Sequence, residues 1–515
     1  MNVPIRLSVL LFLAVLGMRA RAELSLAPLF SEHAVLQCDQ VVPVWGRAAP
    51  AAEVTVTFGG QSVSATADAD GIWILCLPPQ PASAAPAELI VAAGRERLTV
   101  HDVVVGEVWL ASGQSNMEMP VSRLADDEQK IAATDLPLVR QVKIERAVAR
   151  TPADTVATGG WQPAAPATVG DFSAVAYFFA RELQRKLGEP VGIINSTWGG
   201  TEIEAWMSAR ARASTSLAAA LDARWQHALA EWPPERVARY AAEAGAWQKA
   251  DEEAHAAHRK NPLPWPPPPA TPDSPRAPGG LFNGMIAPLS PFAIRGIIWY
   301  QGESNTGRAA EYAELFAAMI HSWRETWGQG GPPAPPRGPL PFYFVQLPAF
   351  ATADPRARDW AQLREAQAKA LALPATGMAV AIDNPEPEDI HPTRKQELGR
   401  RLALLARAHI YGVQVDASGP LFASAAREGA AMRVHFTHAG NGLVAHDRPV
   451  QALELAGADR VFHPATARIA GDTLLVSSPD VKEPVAVRYA FTNAPAANLY
   501  NGAGLPAAPF RSDDW

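Results

Sequence analysis

Val103-Val104-Val105-Gly106-Glu107-Val108-Trp109-Leu110-Ala111 leads through Ser112 into Gly113-Gln114-Ser115-Asn116-Met117. A run of that length and β-branched content reads as a buried strand. The glycine after it lets the backbone turn sharply, which puts Ser115 at the strand's carboxyl end, where a nucleophile belongs. A lone Gly-x-Ser is common, and most are tight turns with an incidental serine. The rest of the chain decides whether this one carries chemistry.

Four more short apolar runs follow. Val191-Gly192-Ile193-Ile194-Asn195 ends in Ser196-Thr197-Trp198-Gly199-Gly200-Thr201, and Gly296-Ile297-Ile298-Trp299-Tyr300 ends in Gln301-Gly302-Glu303-Ser304-Asn305. Phe342-Tyr343-Phe344-Val345-Gln346-Leu347 is the fourth strand, and Gly377-Met378-Ala379-Val380-Ala381-Ile382 precedes a loop ending Glu388-Asp389-Ile390-His391-Pro392. Helical periodicity spans about 173–187, 309–327, 359–372 and 393–410. Alternating strands and helices predict a parallel sheet with right-handed crossovers and helices on both faces. In such sheets the ligand crevice lies outside the carboxyl ends of the strands, where these polar motifs gather. Thr393 with Gln396 three residues on reads as a capping box that starts the last helix and holds the His391 loop.

Acyl transfer by serine requires a base, a group that orients the base, and donors for the oxyanion. His391 with a nearby acid supplies the first two. The backbone N–H of Ser115, that of Gly199 or Gly200, and the side-chain amide of Gln301 or Asn305 are candidates for the third. Gln114, Asn116, Trp198 and Trp299, which lie within the motifs, are the candidates for holding substrate.

Gly-Gln-Ser-Asn-Met, Gly-Gly-Thr, Trp-Tyr-Gln-Gly-Glu-Ser-Asn and Asp-Ile-His-Pro, in this order, resemble the sialate O-acetylesterase branch of the SGNH hydrolases, which includes bacterial carbohydrate acetylesterases. The resemblance runs from His33-Ala34-Val35-Leu36-Gln37 to Asn498-Leu499-Tyr500-Asn501 and Pro509-Phe510-Arg511-Ser512-Asp513. It implies a flavodoxin-like three-layer α/β/α domain of about five parallel strands, and hydrolysis of acetyl esters on sugar hydroxyls without metal or cofactor. It also implies Ser115 as nucleophile and His391 as base. The commonest SGNH pattern has an aspartate three residues before the histidine; here that position is Glu388, and Asp389 lies two before. The branch's Asp-Ile-His-Pro form favours Asp389 as the orienting acid, with Glu388 and Glu303 as alternatives. Glu303 also reads as an ion-pair or helix-start residue.

Residues 1–22 carry Arg6, an apolar segment and Ala20-Arg21-Ala22, the pattern of a signal peptide cleaved after Ala22; the apolar segment is too short to span a bilayer. Loss of Arg6, Arg19 and Arg21 takes the formal charge from −7 to −10, which argues against a nucleic-acid partner. An exported, periplasmic or extracellular protein follows, with no membrane span. The two cysteines, Cys38 and Cys76, are candidates for one disulfide and do not supply a zinc shell.

The length predicts more than one core. Residues 23–104 alternate in the β manner and read as an N-terminal β-sandwich, 105–411 as the hydrolase domain, and 412–515 as a second β region that combines with the first. Residues 207–280 form an insertion, first helical, then polyproline-like at 261–269. Its Trp225, Trp232, Trp247 and Trp265 either flank the cleft and stack on sugars or pack the insertion onto the core. A second Pro-rich tract, 332–341, reads as a surface loop.

A carbohydrate-binding module needs aromatic surfaces but has no reason to carry the serine, histidine and acid, so the enzyme reading leads. Its runner-up reaction is hydrolysis of a longer acyl ester, as in lipolytic members of the superfamily. Sialic acid would favour an arginine clamp, whereas plant hemicelluloses are neutral and meet aromatic platforms. Tryptophans and no arginine immediately flank the three strand-end motifs, which tilts the expected partner toward acetylated xylan, xyloglucan or their oligosaccharides.

Overall fold

The computed structural model describes residues 23–515 apart from 258, 260, 267, 268, 330–337, 355 and 447. The expected signal segment and most of the second Pro-rich tract lie outside these residues.

The opening run is the second half of a long strand, β1 (Glu96–Gly113), buried throughout that half. Six more strands form with it the main path of an 11-stranded sheet: β2 (Leu136–Ile144), β3 (Thr158–Ala164), β4 (Val191–Thr197), β5 (Gly296–Tyr300), β6 (Phe342–Gln346) and β7 (Thr376–Val380). Their order is β3-β2-β4-β1-β5-β6-β7. Every neighbouring pair is parallel except β3 on β2 at the edge. The five strands expected from sequence therefore stand in the order 2-1-3-4-5 of flavodoxin-like sheets. β2 and β3 extend the sheet beyond that expectation. Arg140, Gln141 and Lys143 interrupt the apolar pattern of β2, so it does not read as a buried strand, although Arg140 and Gln141 are buried there.

The helices are α1 (Ser115–Glu118), α2 (Asp126–Ala132), α3 (Ala174–Leu187), α4 (Ala209–Ala213), α5 (Ala218–Ala230), α6 (Pro234–Ala256), α7 (Ala309–Gln329), α8 (Asp359–Ala368) and α9 (Gln396–His409). α3 and α9 pack together against the sheet, and α7 packs with α8. Close approach of the first pair depends on Gly399, where an added Cβ would stand 2.5 Å from Phe178 Cβ. The insertion is α4 to α6 followed by non-helical chain, as read from composition.

Domain edges differ from the reading. The first half of β1 pairs antiparallel with Ser83–Ala93, while its second half pairs with β4 and β5. A boundary at residue 104 falls inside one continuous strand, and a single apolar core runs through both sections. The C-terminal sheets have a core of their own around Val434, Leu455, Leu474 and Tyr489. The two terminal β regions thus do not merge; the first is an extension of the hydrolase core. Both cysteines are free thiols: Cys38 is buried with its Sγ donating to Glu107 Oε1 at 3.3 Å, and Cys76 lies on another strand, opposite Pro43. Burial and the Glu107 carboxylate push the Cys38 thiol up.

The start of α9 also departs from the capping-box reading. The helix begins at Gln396, and Thr393 instead donates through both its N–H and its hydroxyl to Glu386. The first amides of α9 are taken by a carboxylate from α2: Lys395 and Gln396 N–H donate to Glu128 Oε2 at 2.8 and 3.1 Å. A remote anion at the positive end of the helix replaces the local cap.

Candidate active site

Pairing registers bring the motifs together. Gly113 is aligned with Thr197 on one side and Tyr300 on the other, so β4, β1 and β5 end level and release their polar turns at the same edge. That is the switch point of the sheet. Gly113 has φ +134°, and a Cβ there would lie 2.1 Å from the Tyr300 carbonyl oxygen. No other residue allows β1 to pass this close to β5 and turn into α1. Ser115 emerges half-buried as the first residue of α1.

The loop after β7 places His391 opposite it, with His391 Nε2 2.8 Å from Ser115 Oγ. These residues lie 276 positions apart in sequence. Desolvation lowers the His391 pKa from its ordinary value, and the Lys395 cation lowers it further; Asp389 and Asp251 oppose the shift. The ring is open to solvent on one side, yet the protein packed around it still favours the neutral, proton-accepting form.

Of the candidate acids, Asp389 lies nearest in bonding: its Oδ1 accepts the His391 backbone N–H at 2.8 Å, while no hydrogen bond from any of the three acids to the imidazole ring is present among the described residues. Glu388 is exposed and makes no hydrogen bond to His391 among the described residues. Glu303 is buried at the turn after β5, with Oε1 accepting from Asn116 Nδ2 at 2.6 Å. It starts a 3₁₀ turn and does not reach the imidazole through a hydrogen bond among the described residues.

Several expected donors and substrate contacts are spent elsewhere. Gln301 Nε2 donates to the Thr201 carbonyl at 3.1 Å and to Asn305 Oδ1 at 2.8 Å, and Asn305 Nδ2 donates to Glu204 at 3.0 Å. Gln301 braces the end of the Gly199–Thr201 turn and Asn305 the Ile203–Glu204 segment after it, so both amides are engaged within the protein. The Gly199 N–H donates to Glu118 Oε2 at 2.8 Å. The N–H groups of Ser115 and Gly200 have no such acceptor among the described residues. Gln114 is buried and its Oε1 accepts from Gly302 and Ser304 N–H. Asn116 is fully buried. Trp299 is core, edge-on to Trp206 and Trp323 with centroids 5.9 and 5.5 Å away. All three are structural, because a motif residue on the inward face of a buried turn packs rather than meets ligand. Trp198 alone among the four substrate candidates is partly exposed.

Sequence reading missed what surrounds this centre. Arg146 lies over the Trp198 ring at 5.3 Å and pairs with Glu118 at 2.5 Å. Arg123 pairs with Asp251 of α6 at 3.1 Å, bringing the insertion within electrostatic reach of His391. Trp265, 53 % exposed, stands against Trp247 with centroids 4.6 Å apart and lies 3.7 Å from where a Gly200 Cβ would be. Two of the four insertion tryptophans therefore sit at the mouth of the site, whereas Trp232 packs on Tyr240 and Arg236 inside the insertion. Only Glu118, in the turn directly after the serine motif, left a local signal.

A serine and a histidine in hydrogen-bond reach at the carboxyl edge of a parallel sheet make the layout of an α/β esterase. Known proteins agree. Residues 279–407 match the family model described as carbohydrate esterase, sialic acid-specific acetylesterase. The chain is 30 % identical over 443 residues to the sialate O-acetylesterase of Mus musculus, covering 80 % of this chain and 78 % of that one. It is 30 % identical over 411 residues to that of Homo sapiens, covering 73 % and 69 %. The crystal structure of a carbohydrate acetylesterase from Xanthomonas citri superposes with a TM-score of 0.79 at 39 % identity, covering 95 % of this chain and 100 % of that one. The chain belongs to the sialate O-acetylesterase family and is an acetylesterase, a carboxylic ester hydrolase. No helix among the described residues is long and apolar enough to cross a membrane.

Proposed function

We propose that the protein is an exported serine carbohydrate O-acetylesterase whose substrate is a neutral acetylated hemicellulose, xylan or xyloglucan, or its oligosaccharides. The observation that carries the serine mechanism is the 2.8 Å contact between His391 Nε2 and Ser115 Oγ at the level strand ends. His391 takes the hydroxyl proton as Ser115 Oγ attacks the acetyl carbonyl. The oxyanion meets the N–H groups of Ser115 and Gly200, Gly199 being held by Glu118. Collapse releases the sugar hydroxyl, which leaves with the proton from His391, and water then cleaves the acetyl-enzyme by the same base.

Neutral substrate is favoured by charge at the rim. Arg146 and Arg123 each face a carboxylate, so neither arginine is a free clamp for an acidic sugar, and Trp198 and Trp265 offer apolar faces. A sialate substrate is the second reading, carried by the nearness of Arg146 to Trp198 and by the relatives' activity. Acetate release from acetylated xylan, xyloglucan and O-acetyl sialic acids separates them: kcat/KM is expected to be at least about tenfold higher on the neutral glycans, a difference of about 1.4 kcal/mol. The reverse ranking sinks the neutral assignment. A rise in rate from acetyl to butyryl p-nitrophenyl esters would instead support a lipolytic esterase.

The orienting acid is proposed to be Asp389. Asp389→Asn keeps an acceptor for the His391 N–H and removes only the charge that stabilises imidazolium. Turnover is expected to fall toward the roughly 10⁴-fold loss that amide replacement of a triad carboxylate causes, whereas Glu388→Gln changes it less than about threefold. Measured kcat for the two variants decides; a severe Glu388→Gln lesion beside a mild Asp389→Asn one reverses the roles.

A further inference from the structure

Lys395 occupies a place that elementary rules disfavour. It is fully buried, and it stands at the N-cap position of α9, the positive end of a helix, where a cation is unfavourable. Its ammonium donates to Asn116 Oδ1 at 2.6 Å and lies 5.3 Å from the centre of the Tyr300 ring. Among the described residues it makes no ion pair within 4 Å. A buried cation with so little compensation costs several kcal/mol, more than one hydrogen bond returns.

What Lys395 touches gives it a role. Asn116 directly follows Ser115, and its amide makes three bonds: Oδ1 to Lys395, Nδ2 to Glu303 Oε1 at 2.6 Å, and Nδ2 to the Ile390 carbonyl at 2.8 Å. Ile390 directly precedes His391. One amide thus ties the turn after β1, the turn after β5, the histidine loop and the start of α9. Glu303 Oε2 has no partner among the described residues, so a buried carboxyl, which burial shifts up, and a buried ammonium are joined through the Asn116 amide.

We propose that Lys395 is a positioning residue for the acetylesterase reaction: through Asn116 it sets the approach of Ser115 to His391, and its charge holds the imidazole in the neutral form. The proposal rests on the serine–histidine reading above, whose own failure would show separately as activity surviving Ser115→Ala. The charged groups bearing on His391 come from each neighbouring element: Lys395 at α9, Asp389 in its loop, Asp251 on α6, and Arg123 in the turn before α2. Those bearing on Lys395 are Glu303, Asp389, Glu386 and Glu128. Burial brings the Lys395 ammonium down to about 8, and these four carboxylates act against that fall, so the cation is present through the pH range in which His391 titrates.

The test is the pH profile of kcat/KM on p-nitrophenyl acetate for Lys395→Met and for Lys395→Met/Glu303→Gln, with melting temperatures. Without the cation the imidazole holds its proton more strongly, so the acid limb is expected to move up by roughly one pH unit. Turnover at the new plateau should fall by roughly ten- to a hundredfold as Asn116 loses its anchor. The double variant leaves no uncompensated buried carboxylate, and it carries the test if the single variant is insoluble. A folded variant with the wild-type acid limb overturns the proposal, because a purely structural lysine would alter stability without moving the histidine.

Discussion

Replacing Ser115 by alanine is expected to lower acetate turnover by about 10⁶-fold, the loss typical of a missing triad nucleophile. The hydroxyl's partner is His391 Nε2, and Ser115 is half-buried in a turn set by Gly113 and the Asn116 amide, so its loss removes no packing. The melting temperature should stay within about 2 °C of wild type, a change well under 1 kcal/mol. Acetate release on p-nitrophenyl acetate and on acetylated glycan reads the effect directly. Activity above about a hundredth of wild type in a clean preparation would remove Ser115 from the mechanism.

His391→Ala should be nearly as severe, since a nucleophile and its base act as one unit and removing either costs about as much as removing both. The wild-type pH profile gives an independent reading. On the proposed mechanism activity requires neutral imidazole, so kcat/KM is expected to rise with pH through the His391 pKa. Burial, then the Lys395 cation, lowers that pKa from the ordinary 6.5. The acid limb of the free enzyme is therefore expected below pH 6.5, and activity persists into mildly acidic solution. A limb above 6.5, or an alanine variant that kept the wild-type profile, would point to a different base.

Much of this was legible in sequence because strand ends are local events. Apolar runs of five to nine residues closed by glycine and polar residues marked the five core strands, and helical periodicity marked α3, α7, α8 and α9 to within a few residues. β2 was not legible, since Arg140 and Gln141 are buried by partners distant in sequence: Arg140 donates to the carbonyls of His33 and Asp102, and Gln141 accepts the Ser173 N–H. The cap of α9 failed for the same reason, as Glu128 of α2 took the amides that a local Thr-x-x-Gln pattern predicted for itself.

By itself the sequence determined the five core strands, the family resemblance and the candidates Ser115 and His391, because each is carried by a short motif whose backbone geometry is local. Only the tertiary structure decided the strand order and which motif side chains are taken up in bracing the turns. Gln114, Asn116, Gln301, Asn305 and Trp299 read as functional from proximity in sequence, but their amides and rings are consumed within the protein. Arg146, Arg123, Asp251, Trp265 and Lys395 reach the site from elements up to hundreds of residues away. Side-chain direction and long-range electrostatics depend on how sheets and loops pack, and a motif read along one dimension carries neither.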